Sequence, residues 1–240
     1  MQDTEAPDSG ARGAEALTWR GMWAGVKLLA PLAIFVVPFG LAFGLAATER
    51  GMDPTTAIVM SAVVFGGASQ FAALDLWTHP LPWAAILITT GIVNARHLLY
   101  GAAIYPWIGR LPPSKRYPGL AVMTDLAWTA TMQAIAKGER DAGVLLGGGL
   151  LLWVVWVLAT AAGAILAAGI GDPKQYGLDV VMVAFFAASC VGLWRGKSDV
   201  MPWAAAIVAA LAGIYLLPTG WHVIVGAFAG GLVGVMTDDA

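Results

Sequence analysis

An all-α, polytopic transmembrane bundle of seven or eight segments is the fold class this sequence predicts, and three observations predict it. The 240 residues are 59% apolar and only 12% charged, where a soluble domain carries about a quarter charged residues. Apolar runs of roughly 20 residues, each able to cross a hydrocarbon core about 30 Å thick, recur along almost the whole chain after residue 21. Sustained alternation of apolar and polar residues, the mark of a membrane barrel, is missing, and only helices remain as spanning elements.

The predicted segments are, in order, 22–47, 55–77, 82–108, a weaker one at 119–137, then 143–170, 178–194, 200–217 and 219–236. Tight links rich in Gly and Pro separate them: ATERGMDP (47–54), THPLP (78–82), GRLPPSKRYPG (109–119) and GDPKQYG (171–177). Gly and Pro punctuate helices, and such short links force neighbouring segments to pack. Residues 1–21 are polar, with charges of both signs and no short apolar core before a cleavage site; they read as a disordered cytoplasmic tail. Residues 22–237 form a single transmembrane domain.

Sliding the chain against itself by half its length sets Val63, Phe65, Ala68 and Ser69 against Val183, Phe185, Ala188 and Ser189, and Pro82-Trp83-Ala84-Ala85 against Pro202-Trp203-Ala204-Ala205. An internal duplication follows, with halves at about 22–137 and 143–236, an arrangement characteristic of secondary transporters. If every segment spans, the cluster Arg110, Lys115 and Arg116 falls on the side opposite the tail, against the tendency of cations to stay inside. One re-entrant or broken segment per half brings the tail, that cluster, and Arg195 with Lys197 to the cytoplasm and makes the halves inverted repeats. Trp19, Trp23, Trp77, Tyr105, Trp107, Trp194, Trp203 and Trp221 lie at segment ends and read as an interfacial belt.

Chemistry concentrates in NARHLLYG (94–101). On a single helix over 82–108, Thr90, Asn94, His97, Gly101 and Tyr105 fall on one stripe and Thr89, Arg96, Tyr100 and Trp107 on nearly the opposite one. A central Arg costs about 2.5–3.5 kcal/mol to insert, while each large aliphatic residue returns only about 0.3–0.6, so Arg96 needs a partner inside the bundle. Asp125 is the counter-charge, in the weakest apolar segment beside Thr124, Thr129, Thr131 and Gln133. In FGGASQFAALDLW (65–77), Ala62, Gly66, Ser69 and Ala73 make a small-residue face for close helix approach, and Gln70 needs partners for its amide.

Enzyme readings fail. His79, His97 and His222 lack HExxH spacing, and the glutamates, Glu5, Glu15, Glu49 and Glu139, lie in the tail or links. The GKS at 196–198 lacks the P-loop glycine, Val191 standing in its place, and Ser69 with His97 has no elbow motif. No cofactor or metal is implied. The single cysteine, Cys190, forms no intrachain disulfide, and a net charge of −2 gives no case for nucleic acid.

GASQFAAL (67–74), NARHLLYG (94–101) and TDLAW (124–128), with PFGLAFGLA (38–46), GMDP (51–54) and GLD (177–179), give the chain its likeness to a known family. It resembles the AzlC-type, azaleucine-resistance family, the large subunits of branched-chain amino acid exporters, over roughly residues 22–236. The resemblance implies a multi-pass protein of the bacterial inner membrane that exports branched-chain amino acids, and sometimes methionine. It also implies a small AzlD-type membrane partner and drive by the proton gradient. Leu126 departs from the family's usual Thr-Asp-Glu. A zwitterion with an aliphatic side chain needs an anion site, a cation site and an apolar pocket. Arg96, or the positive end of a broken helix, is expected to meet its carboxylate and Asp125, with nearby carbonyls, its ammonium, with Ser69, Gln70, Asn94, Tyr100 and Thr124 as further substrate-binding residues. His97 or Asp125 is expected to carry the proton. A passive channel and a non-transporting scaffold are the alternatives.

Overall fold

A computed structural model of the chain describes residues 13–170, 194, 196–217 and 221–238. The segment expected at 178–194, apart from Trp194, lies outside these residues, and with it Cys190 and the repeat positions Val183, Phe185, Ala188 and Ser189. The described residues fall into two compact units, one drawn from 1–37 with 95–156, the other from 38–94 with 157–240. They are helical throughout, apart from turns and one isolated bridge between Ala16 and Asp141.

Among the described residues three helices are long and apolar enough to cross a membrane: α1 (Trp19–Glu49), the span Gly143–Ala167 and the span Lys197–Leu216. The other predicted segments are built differently. The run 55–77 is α2 (Pro54–Val64) and α3 (Gly67–Asp75), the run 82–108 is α4 (Trp83–Asn94) and α5 (Arg96–Ile108), and α6 (Pro113–Ala121) precedes α7 (Asp125–Ala136). The single helix expected over 82–108 is thus interrupted at Ala95, whose backbone nonetheless stays in the right-handed region (φ −55°, ψ −28°). At a rise of about 1.5 Å per residue, α2, α3, α6 and α7 are each about 13–18 Å long, near half the hydrocarbon thickness. Helices α8 (Gly143–Ile170), α9 (Val200–Leu216) and α10 (Trp221–Asp238) complete the described chain.

In the second unit α2 and α3 form a hairpin that returns to where it began. Asp53 caps α2 by accepting from the Thr56 N–H at 3.0 Å, and Pro54 starts the helix, where a missing N–H costs nothing. Phe65 ends it in the left-handed region (φ 42°, ψ 51°), a strained place for a bulky residue, and Gly66 opens α3. Helix α3 climbs beside the last turns of α1: Phe71 meets Phe43 edge-on at 5.4 Å, and Arg50 donates to the Leu74 carbonyl at 3.2 Å while pairing with Asp75 at 3.4 Å. Both ends of α2–α3 therefore lie at the C-terminal end of α1.

The first unit holds a hairpin of its own, α6 with α7. Val122 and Gly119, in and after α6, lie against Gly149 and Leu145 of α8, so α6 runs inward alongside the start of α8. Helix α7 comes back: its residues 125–133 line a groove with Leu32 of α1, and residues 134–138 line another with Ala24 and Leu28. Its end is tied to the start of both long helices. Trp107 Nε1–H donates to the Glu139 carbonyl at 3.0 Å, and Asp141 accepts from the Gly143 N–H at 2.8 Å and the Thr18 N–H at 3.0 Å. Residues 13–18, within the stretch read as tail, are bound here as well. Ala14 N–H donates to the Trp107 carbonyl at 2.7 Å, Glu15 N–H to the Arg140 carbonyl at 2.9 Å, and Glu15 pairs with Arg140 at 2.6 Å.

Helices α1 and α8 run parallel at very close range. In the first unit a Cβ on Gly25 would stand 2.1 Å from the Val144 oxygen, and one on Gly147 2.0 Å from the Met22 oxygen. In the second unit Gly44 stands in the same relation to Thr160, and Gly163 to Leu41, each at 2.2 Å. Only glycine admits such an approach. Helices α9 and α10 pack antiparallel, Gly226 and Gly230 lying against Ala210, Ala206 and Pro202, and Gly213 against His222.

Candidate functional site

The N-termini of α5 and α7 meet in the first unit. Arg96 is the first residue of α5 and Asp125 the first of α7. Thr124 caps α7, its hydroxyl accepting from the Ala127 N–H at 3.2 Å, so this expected ligand already has a structural partner. A carboxylate in the first turn is favoured by the helix dipole. Arg96 Nε lies 3.1 Å from Asp125 Oδ1, so the expected ion pair forms, yet its N–H is not aimed at that oxygen and makes no hydrogen bond. Charge attraction, which needs no alignment, holds the pair.

Tyr100, one turn after Arg96, donates its hydroxyl to the same Asp125 oxygen at 2.7 Å. Its ring stacks on Trp128 at 4.6 Å and meets the His97 ring edge-on at 5.6 Å. The stripe placing Arg96, Tyr100 and Trp107 together therefore holds within α5. The Arg96 side chain is 35% exposed and Asp125 50% exposed. Trp128 Nε1 and Thr131 Oγ1 are buried on α7 and have no hydrogen-bond partner among the described residues.

Ser69, Gln70 and Asn94 belong to the second unit, at the tip of α2–α3. Ser69 Oγ donates to the Gly66 carbonyl at 2.8 Å. Gln70 Oε1 accepts from the Gly66 N–H at 3.3 Å and its Nε2 donates to Ser61 Oγ at 3.0 Å; Ser61 in turn meets Thr160 Oγ1 at 3.0 Å. All four side chains are fully buried. A Cβ on Gly66 would come within 2.6 Å of Ser69 Oγ and 3.5 Å of Asn94 Oδ1, so the end of α4 sits against the tip. These hydrogen bonds fasten a sharp chain reversal whose backbone groups would otherwise go unpaired in an apolar setting.

Sequence reasoning missed Ser61, Thr160 and Trp128. Ser61 and Thr160 are small polar residues inside apolar runs with no spacing to betray them. Trp128 had a signal, its position three residues after Asp125, which puts both on adjoining faces of one helix turn.

Comparison with known proteins follows the same lines. The chain is 27% identical over 218 residues to the inner membrane protein YgaZ of Escherichia coli K12, covering 88% of this chain and 89% of that one. It is 26% identical over 178 residues to the branched-chain amino acid transport protein AzlC of Bacillus subtilis 168, covering 72% and 69%. No solved structure matches it. The family described as AzlC protein matches residues 31–170, more than half of the chain and the stretch containing both hairpins, and the chain belongs to that family.

Proposed function

We propose that this protein is a secondary-active exporter of branched-chain amino acids in the bacterial inner membrane. It is proton-coupled and acts with a small AzlD-type membrane subunit. The observation that carries the reading is the Arg96–Asp125 pair, braced by Tyr100 and partly exposed, at the meeting of two helix N-termini part-way along the long helices. Ionisable groups at membrane depth mark substrate or proton paths, and half-length helices that end there expose the backbone dipoles transporters use to hold charge. The name of the Bacillus relative supports the substrate class.

In this reading Arg96 exchanges Asp125 for the substrate carboxylate, and Asp125 takes the ammonium. His97, in ring contact with Tyr100, or Asp125 itself, carries the proton. Ser69, Gln70 and Asn94 give form to the tip of α2–α3, and Thr124 to that of α7. The end of the first unit bearing Arg110, Lys115, Arg116, Lys137 and Arg140 faces the cytoplasm.

Counterflow of labelled leucine, valine, isoleucine and methionine from vesicles containing this protein, with and without the co-expressed small subunit, tests the reading. Saturable flux abolished by Asp125→Asn or Arg96→Ala in folded protein is expected. Saturable flux untouched by both substitutions overturns it, and non-saturating flux insensitive to uncouplers favours a channel.

A further inference from the structure

Beside the ion pair, α7 and α1 enclose an open groove of about 280 Å³, lined by Leu32, Asp125, Leu126, Thr129, Ala130 and Gln133. Asp125, Thr129 and Gln133 recur every fourth residue, forming one polar edge, and all three are exposed. Leu32, Leu126 and Ala130 form the apolar wall; the two leucines are 37% and 38% exposed and Ala130 is 8% exposed. A polar edge that includes a carboxylate is expensive against lipid, so the groove holds water or a polar solute. Its volume suits a small metabolite.

We infer that this groove is the specificity pocket of the exporter. An amino acid whose ammonium rests on Asp125 lays its aliphatic side chain against Leu126, the next residue of α7, and Ala130, a little over one turn further along, and Leu32 closes the opposite wall. The inference rests on the transport reading and goes beyond it by assigning the pocket. The carboxylate at one end selects a cation, and the wall selects an unbranched or branched hydrocarbon over a polar side chain. Thr129 and Gln133 keep the polar edge hydrated or bonded. The physical lever is volume: one methylene in an apolar pocket changes discrimination by about tenfold or more.

The test is competition counterflow in vesicles with the small subunit co-expressed, comparing alanine, valine, leucine and methionine on wild type, Ala130→Leu and Leu126→Ala. Ala130→Leu fills the groove and is expected to raise the leucine-to-alanine ratio of KM values by about tenfold. Leu126→Ala widens it and is expected to favour methionine over valine. Should Ala130→Leu not assemble, Ala130→Val gives a smaller shift in the same direction. Unchanged ratios in all variants overturn the groove assignment, including the case in which every rate falls together, as occupation by a lipid chain or a partner helix predicts. Failure of the wild type to move any of these amino acids, with the small subunit present, overturns the transport reading instead.

Discussion

Tyr100 gives its phenolic hydrogen to Asp125 at 2.7 Å, on the very oxygen that Arg96 Nε approaches at 3.1 Å. Two groups one turn apart on α5 thus converge on one carboxylate oxygen at the head of α7. The second carboxylate oxygen has no hydrogen bond among the described residues, and the Arg96 fork remains unused for bidentate contact.

Tyr100→Phe removes the one well-formed hydrogen bond to Asp125 and leaves the stack on Trp128. A net loss of about 1 kcal/mol, or roughly fivefold in apparent affinity, is expected. Arg96→Gln and Asp125→Asn should abolish flux singly, and the double variant should be no worse, because groups acting on one network are not additive. Initial counterflow rates of purified variants with matched unfolding temperatures check this.

Gly25→Ala and Gly147→Ala place a methyl group on the facing backbone of α8 or α1, at 2.1 and 2.0 Å. Neither backbone can step aside without parting the helices, so each substitution should destabilise by about 1–3 kcal/mol. Gly231→Ala, which meets open space, serves as the control. Thermal unfolding in detergent reads the difference.

Hairpin geometry predicts labelling. With Cys190 replaced, single cysteines at Gly51 and His79 should react with a membrane-impermeant thiol reagent from one common side, since α2–α3 returns to the end of α1. Cysteines at Ser114 and Gly138 should likewise share a side, since α6–α7 returns to the start of α8. Either pair reacting from opposite sides would mean that the hairpin crosses the membrane.

Asp53 lies in the link before α2, where the hydroxyl and then the backbone N–H of Thr56 hold its carboxyl below the ordinary carboxylate range. A lowered folded-state pKa means stabilisation that is present above the unfolded value of about 3.9 and lost as pH falls through the folded one. Asp53→Asn keeps the cap but should flatten that part of the pH dependence. Unfolding midpoints of both proteins from pH 6 down to pH 3 measure it.

Helix class and the need of Arg96 for Asp125 were legible in the sequence, because composition and the cost of a lone charge in hydrocarbon are properties of residues rather than of their arrangement; the boundary at 119 was not, since α6 (Pro113–Ala121) occupies most of the link expected at 109–119. Legibility failed inside the runs. The strings 55–77 and 82–108 read as single helices because their apolar content is continuous; Phe65 in the left-handed region and the interruption at Ala95 carry no Pro to announce them. Hydropathy records how much of a segment avoids water, and a hairpin of two half-length helices avoids it as well as one spanning helix does.

The sequence by itself determined that the chain is helical, apolar enough for a bilayer, and obliged to pair a guanidinium inside an apolar run with a carboxylate. Only the tertiary structure decided that Ser69 and Gln70 fasten a chain reversal, that α1 and α8 run parallel at glycine contact, and that Asp125 opens onto a groove. The reversal is held by Gly66 and Ser61 within ten residues and anchored through Ser61 to Thr160, 99 residues away, while the other two outcomes join residues of α1 to residues about 90 to 120 positions further on, and no local pattern encodes such distant pairings.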